Sequence, residues 1–147
     1  MAEMRKVLVV DDEEIVRLSH MRTLAGQSCS VEAARGGEEA LEKMQQAPAD
    51  VVLLDLRMPG MDGLAALKAI KEKWPATEVV IITGYPSVVT AREAVRLGAF
   101  DYLAKPVDPD KVLAVANEAM AQRLAPPQGG KGRSDKDSRK GWAKYLD

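Results

Sequence analysis

The sequence has few cysteine, histidine and aromatic residues. Its 147 residues include one cysteine, Cys29, one histidine, His20, and only 4% aromatic side chains. A lone cysteine cannot close a disulfide within the chain, and such low cysteine use favours a reducing compartment. One histidine and one cysteine also cannot supply the several ligands of a structural zinc site. At this length, one domain can bury a sufficient hydrophobic core without a disulfide or a structural metal.

Long apolar runs are also missing. No window approaches the length needed to cross a bilayer. The opening residues, MAEMRKVLVV, lack the apolar region and cleavage site of a signal peptide. We therefore expect a cytoplasmic protein with no membrane contact.

Neither sign of charge dominates the chain, whose net charge is −1. Residues 126–147 carry six Lys/Arg and three Asp/Glu, a balance of +3, which leaves −4 for residues 1–125. A mildly acidic body has no broad basic face, so we expect no direct nucleic-acid binding by this chain.

Short apolar, β-rich runs alternate with segments of helical periodicity five times along the chain. This alternation predicts an α/β fold with one parallel sheet covered by helices on both faces. We expect a flavodoxin-like doubly wound (βα)5 three-layer sandwich with strand order 2-1-3-4-5. The predicted strands are Lys6–Val10, Ser30–Ala33, Val51–Asp55, Glu78–Thr83 and Phe100–Ala104.

Two of the helices have particularly readable sequences. In the first, Ile15, Leu18, Met21 and Leu24 recur at helical spacing. In the last, Asp108-Pro109 is a favourable N-cap followed by proline at the first helical position. His20 falls within the first helix, and we interpret it as a surface or half-buried helix residue rather than a phosphorelay histidine.

Reactive side chains lie at the carboxyl ends of four of the predicted strands: Asp11-Asp12, Asp55, Thr83 and Lys105. In a parallel sheet, these positions lie along one edge, where open α/β sheets bind their ligands. Clustered carboxylates repel one another, and Mg²⁺ relieves that repulsion by taking carboxylate oxygens, water and phosphate oxygen as ligands. Lys105 and the Thr83 hydroxyl suit a phosphoryl group. Together with a nucleophilic aspartate, they favour in-line phosphoryl transfer to a carboxylate.

Each of these residues also has an ordinary explanation when taken alone. Asp11-Asp12 suits a helix N-terminus, Asp55 suits a turn, and Lys105 suits a surface. Thr83 and Tyr102 are common strand residues. Their joint placement at strand ends, in this order, favours the chemical interpretation.

Four motifs together resemble the receiver domain of two-component response regulators, over about residues 5–124. Among receivers, the sequence most resembles those of nitrogen-regulator-type activators, which work through AAA+ ATPase domains. The motifs are VVDDE at Val9–Glu13, LLDLRMPGMDG at Leu53–Gly63, ITGYPS at Ile82–Ser87 and AFDYLAKPVD at Ala99–Asp108.

The resemblance implies a role for each site residue. Asp55 would be the phosphoacceptor, and Lys105 would bridge the phosphoryl oxygens to the acidic residues. Thr83 and Tyr102 would be a switch pair, in which the hydroxyl moves toward the phosphoryl group and the ring turns inward. The implied ligands of Mg²⁺ are Asp12, Asp55, the backbone carbonyl of Arg57 and, through water, Asp11.

The function implied is a signalling switch rather than an enzyme acting on other substrates. A histidine kinase would donate the phosphoryl group. The face built from the fourth helix, fifth strand and fifth helix, about Ser87 to Leu124, would then change its contact with a downstream protein or an output domain of the same protein. Homodimerisation on phosphorylation is a further expectation of the family. One alternative is that the chain is a receiver fragment of a longer transcriptional regulator.

Two other functions use the same residues or the same fold. A haloacid-dehalogenase-type phosphatase also forms an aspartyl phosphate, but it needs a second aspartate where this chain has Arg57. A nucleotide or flavin binder needs a phosphate-binding loop after Val10, where this chain has acidic residues instead.

The composition changes after residue 125. We therefore divide the chain into a receiver domain, residues 1–125, and a flexible polar tail or linker, residues 126–147. Near the end of this tail, Trp142, Tyr145 and Leu146 have helical spacing, and the alternative is that they form a short helical docking patch.

Overall fold

Strands and helices alternate regularly in the computed structural model of the protein, which describes residues 5–125 and 139–146. The strands are β1 (Arg5–Val10), β2 (Cys29–Ala34), β3 (Val51–Leu54), β4 (Glu78–Thr83) and β5 (Asp101–Ala104). The helices are α1 (Glu14–Leu24), α2 (Gly37–Gln46), α3 (Gly63–Lys73), α4 (Val88–Arg96), α5 (Pro109–Leu124) and α6 (Ala143–Leu146).

The strands form one parallel sheet in the order β2-β1-β3-β4-β5, which confirms the predicted flavodoxin-like fold. Val10 of β1 pairs with Leu54 of β3, so Asp11 and Asp55 follow their strands at the same level. The Asp55 N–H donates to the Val10 carbonyl at 3.0 Å, which extends the ladder to the acidic residue itself.

Successive side chains of the buried strands enter two different cores. Leu8 and Val10 pack in the core beneath α2, α3 and α4. Val7 and Val9 pack in the core beneath α1 and α5. This alternation, together with strands that are apolar on both sides, explains why the sequence shows continuous Val/Leu/Ile runs rather than a period of two.

Helix α1 forms where it was predicted, but its buried face differs from the expected one. Ile15 and Leu18 are 75% and 52% exposed, whereas His20 and Leu24 are buried. Since residues four apart share a helix face, packing of Leu24 against the sheet carries His20 inward with it. Hydrophobicity alone therefore identified the helix but misplaced the side of it that faces the core.

The segment 139–146 lies against the body of the domain. Trp142 is fully buried in the core beneath α2, α3 and α4, and Tyr145 and Leu146 pack against the same core. The rest of the predicted tail, residues 126–138 and Asp147, lies outside the described residues. In the part of the chain that the structure describes, no helix combines the length and apolar character of a membrane span.

Candidate functional site

Three carboxylates meet at the ends of the two central strands. One oxygen from each of Asp11, Asp12 and Asp55 lies within 4.8 Å of the others, and we call this group the acidic centre. Asp11 and Asp55 are only 3% and 6% exposed, whereas Asp12 is exposed. The centre thus has two buried walls and one side open to solvent.

Backbone groups fix the two buried carboxylates. The Glu13 N–H donates to Asp11 Oδ1 at 2.9 Å, and the Leu56 N–H donates to Asp55 Oδ1 at 2.9 Å. Each carboxylate is therefore oriented by a residue just beyond it in sequence. The second oxygen of each faces the amine of Lys105.

Lys105 is the cation of the site. Its Nζ lies 2.8 Å from Asp11 Oδ2 and 3.8 Å from Asp55 Oδ2. The residue follows β5, and its own N–H donates to the Thr83 carbonyl at 2.8 Å. The Lys105 side chain thus extends from the edge strand to the centre of the sheet, where its amine lies close to both buried acids.

The electrostatics of Asp55 are unusual for a carboxyl group. Burial, with the negative charge of Asp11 and more weakly of Asp12, raises its pKa to about 6, against the lowering effects of Lys105 and the Leu56 N–H. Burial acts to lower the pKa of Lys105, but its hydrogen bond to Asp11 and the surrounding acids raise it overall. A cation added beside Asp55 would therefore stabilise its ionised form.

Close approach of α3 also shapes the site. A Cβ at Gly63 would lie 2.3 Å from the Asp55 carbonyl oxygen and 2.6 Å from Leu56 Cα, so only glycine fits here. Met61, in the same loop, donates its N–H to Glu38 Oε1 at 3.0 Å. Glu38 was not singled out from the sequence, because a helix-start glutamate has no signal that pairs it with a loop 23 residues away.

Thr83 and Tyr102 hold the two ends of the loop between β4 and α4. Thr83 is fully buried, and its Oγ1 accepts the Tyr85 N–H at 3.0 Å. Tyr102 is also fully buried, and its hydroxyl accepts the Ser87 N–H at 3.1 Å and lies 2.7 Å from Thr90 Oγ1. The two predicted switch residues therefore each bond to the same short loop.

Arg57 lies two residues beyond Asp55 and is exposed. Its guanidinium stacks over the Tyr85 ring, with 4.0 Å from Cζ to the ring centroid. Thr90, like Glu38, was not picked out from the sequence, although its spacing from Ser87 is that of a capped helix start.

The acidic centre has the chemistry of a Mg²⁺ site. Two ligands about 2.1 Å from one six-coordinate Mg²⁺ lie about 3 to 4 Å apart, and the oxygens of the acidic centre lie within 4.8 Å of one another. Asp12, Asp55 and the Arg57 carbonyl would hold the ion, with Asp11 beside it. A cation there would offset the negative charges of Asp11 and Asp12, which add to burial in raising the pKa of Asp55.

Comparison with known proteins agrees with this geometry. Residues 7–117 match the family described as response regulator receiver domain. The DNA-binding transcriptional regulator NtrC of Escherichia coli is 43% identical over 115 residues, which are 78% of this chain and 24% of that protein. The chain thus spans about a quarter of the length of the curated relatives it matches.

Solved structures show the same fold. The chemotaxis protein CheY4 of Vibrio cholerae is 34% identical, with a TM-score of 0.75, over 80% of this chain and 99% of that one. The receiver domain of NtrX from Brucella abortus is also 34% identical, with a TM-score of 0.73, over 78% of this chain and 97% of that one. The chain belongs to the response regulator receiver domain family of two-component systems and is of the nitrogen-regulator-like type.

Proposed function

We propose that this receiver is a phosphorylation-dependent switch that accepts a phosphoryl group on Asp55 from the phosphohistidine of a histidine kinase. The observation that carries this proposal is the acidic centre itself, with Lys105 within 4 Å of both Asp11 and Asp55. Burial of two acids and a cation at one point costs stability, and phosphoryl transfer explains why the fold would keep them there.

In the proposed transfer, an Asp55 carboxylate oxygen forms a bond to phosphorus as the phosphorus–nitrogen bond of the phosphohistidine breaks. The imidazole nitrogen keeps the electron pair of that bond and takes up a proton. Lys105 neutralises charge on the phosphoryl oxygens, while Asp11 holds the lysine amine in place.

Mg²⁺ is the cofactor we propose, and when bound it would neutralise charge on both the carboxylates and the phosphoryl group. Its ligands would be Asp12, Asp55 and the backbone carbonyl of Arg57, with Asp11 acting through water. The pKa of Asp55 supports this, since a carboxyl group whose pKa is raised to about 6 by burial and neighbouring acids becomes a better-populated anion beside a cation.

The switch would act through the loop between β4 and α4. Thr83 Oγ1 accepts the Tyr85 N–H, which leaves its own proton free to donate to a phosphoryl oxygen. Movement of Thr83 would displace Tyr85 and, through the loop, Ser87. The Ser87 N–H donates to the Tyr102 hydroxyl, so Tyr102 would respond as well. The surface formed by α4, β5 and α5 would then change its affinity for a downstream protein, an output domain or a second copy.

We further propose a cytoplasmic receiver domain, residues 1–125, that acts on no substrate other than its own phosphoryl group. Arg57 occupies the position at which a haloacid-dehalogenase-type phosphatase needs an acid, which disfavours that alternative. Its relatives are longer regulators, which supports an output domain as the partner.

Phosphoramidate, a small donor of phosphoryl groups, tests the proposal without knowledge of the kinase. With Mg²⁺ present, intact-mass spectrometry should show one added phosphoryl group, and EDTA should prevent the addition. The Asp55→Asn variant should stay unlabelled, while Asp50→Asn, at another carboxylate of the domain, should label like the parent chain. Persistent labelling of Asp55→Asn would refute the assignment.

A further inference from the structure

The segment 139–146 covers part of the surface through which the switch is proposed to signal. Trp142 is fully buried, and helix α6 packs beside α4. Tyr145 meets the Tyr102 ring edge-on, with 5.5 Å between ring centroids and 75° between ring planes. The segment therefore contacts the buried tyrosine at the end of the proposed switch.

The backbone of this segment approaches β5 closely at Gly141. The Gly141 N–H donates to Asp101 Oδ1 at 2.6 Å, an oxygen that also accepts the Tyr102 N–H at 2.7 Å. A Cβ at residue 141 would lie 2.1 Å from the Tyr102 carbonyl oxygen, so the contact requires glycine. Lys140 adds a cation over the Phe100 ring, with 3.2 Å from Nζ to the centroid.

One feature of the contact opposes docking. Among the described residues, the indole Nε1 of Trp142 is buried and has no hydrogen-bond partner. A buried N–H that gives up water without a replacement weakens the apolar gain from burying the ring. The docked and undocked forms are thus closer in free energy than the full burial of Trp142 suggests, as a regulated contact requires.

The segment and the loop before α4 both contact Tyr102. The hydroxyl is bonded to Ser87 and Thr90 at the start of α4, while Tyr145 packs on the ring. The docked segment and the loop bonds therefore favour the same buried position of one side chain. Two events that favour the same position of a shared element assist each other, and the assistance is equal in both directions.

We propose that residues 139–146 are a built-in ligand of the α4–β5 surface that holds Tyr102 buried and so strengthens the phosphorylated form of the acidic centre. This inference rests on the proposed function, in which the inward position of Tyr102 accompanies phosphorylation of Asp55. The occupant of the surface is the chain's own segment, and partners of that surface would have to displace it.

Docking can be followed by the fluorescence of Trp142 in a chain that carries Trp74→Phe, which leaves one tryptophan. Emission should be typical of a buried indole and independent of protein concentration. Gly141→Ala should shift it to the emission of an exposed indole, because the added Cβ cannot fit against Tyr102. Unchanged emission in Gly141→Ala, or emission that varies with concentration, would overturn docking within one chain.

Coupling can be measured with beryllofluoride, a phosphoryl mimic, by isothermal titration calorimetry in the presence of Mg²⁺. Gly141→Ala and, independently, Trp142→Ala should bind it at least about fivefold more weakly than the parent chain, the lower range of measured couplings. Lys144→Ala, whose side chain is exposed on the same segment, should bind within about twofold of the parent.

The outcomes separate this inference from the proposed function. Undocked variants that bind beryllofluoride as tightly as the parent chain, or more tightly, reject the coupling and leave the phosphoacceptor assignment intact. Beryllofluoride binding that survives Asp55→Asn rejects the phosphoacceptor assignment instead.

Discussion

The acidic centre and the docked segment 139–146 each contain buried side chains, yet they are held in different ways. Strand ends and backbone hydrogen bonds fix Asp11 and Asp55, although burial and the charge of Asp11 disfavour ionisation of Asp55. Apolar contact holds Trp142, with its indole N–H unpartnered among the described residues. The fold thus imposes the first arrangement, whereas the second depends on the docking that we propose.

This difference has a direct consequence for mutations. Residues that support the acidic centre belong to the cooperative fold, so a change there is felt in the stability of the whole domain. A change in the segment 139–146 can remove no more stability than docking itself provides, because the undocked form remains available. The predictions below test that contrast, from the largest expected effect to the smallest.

Gly63→Ala should be the most damaging single change. Its Cβ would meet the Asp55 carbonyl oxygen and Leu56 Cα, backbone atoms that cannot move without displacing β3. We expect a loss of about 3 kcal/mol or more in the free energy of unfolding, measured by urea denaturation. Gly84→Ala, where the nearest atom is 3.8 Å away, is the matched control and should lose less than about 1 kcal/mol.

Leu67→Ala and Trp142→Ala compare two side chains that are both fully buried. Leu67 lies in α3 within the core, and its truncation should cost about 2–5 kcal/mol. Trp142→Ala should cost less than Leu67→Ala, although it removes more atoms, because only docking is lost. Thermal unfolding of both variants measures the two losses of stability. An equal or larger loss of stability for Trp142→Ala would place the segment within the cooperative fold.

Asp55→Asn should stabilise the domain in Mg²⁺-free buffer, by about 1–3 kcal/mol at neutral pH. The folded-state pKa of about 6 lies above the ordinary aspartate pKa of 3.8, so ionisation of Asp55 destabilises the fold as pH rises through about 6. The gain in the asparagine variant should therefore shrink as the pH falls below 6. Urea denaturation as a function of pH measures this gain, and a destabilised variant at neutral pH would contradict the raised pKa of Asp55.

His20 gives the smallest predicted effect. Burial lowers its pKa in the folded protein, so its contribution to stability is present above the ordinary histidine pKa and is lost as the pH falls below it. Titration of His20 by NMR should show protonation only at lower pH than in a free peptide. His20→Gln should weaken the loss of stability between neutral and mildly acidic pH, relative to the parent chain.

Much of the acidic centre could be predicted from sequence, because parallel strands bring their carboxyl ends to one edge whatever surrounds them. Asp11, Asp55 and Lys105 each follow a recognisable apolar run, so strand order alone brings them together. The inward position of His20 could not be predicted in this way. Side-chain hydrophobicity favours Leu18 for the core, while the packing of α1 selects a different face.

The position of Trp142 in the fold also could not be predicted from the sequence. Its spacing from Tyr145 and Leu146 predicts a small apolar face but not the surface that the face covers. The decisive contacts join Gly141 to Asp101, 40 residues away, and depend on the backbone approach that glycine allows. Such a contact leaves no periodic pattern in either segment.

Mapping the phosphoryl group after reaction with phosphoramidate and Mg²⁺ tests the central claim most directly. Borohydride reduces an acyl phosphate to an alcohol, so peptide mass spectrometry should find homoserine in place of Asp55 and unmodified Asp11 and Asp12. Homoserine at either of the other two positions, or at none, would contradict the account of Asp55 as phosphoacceptor.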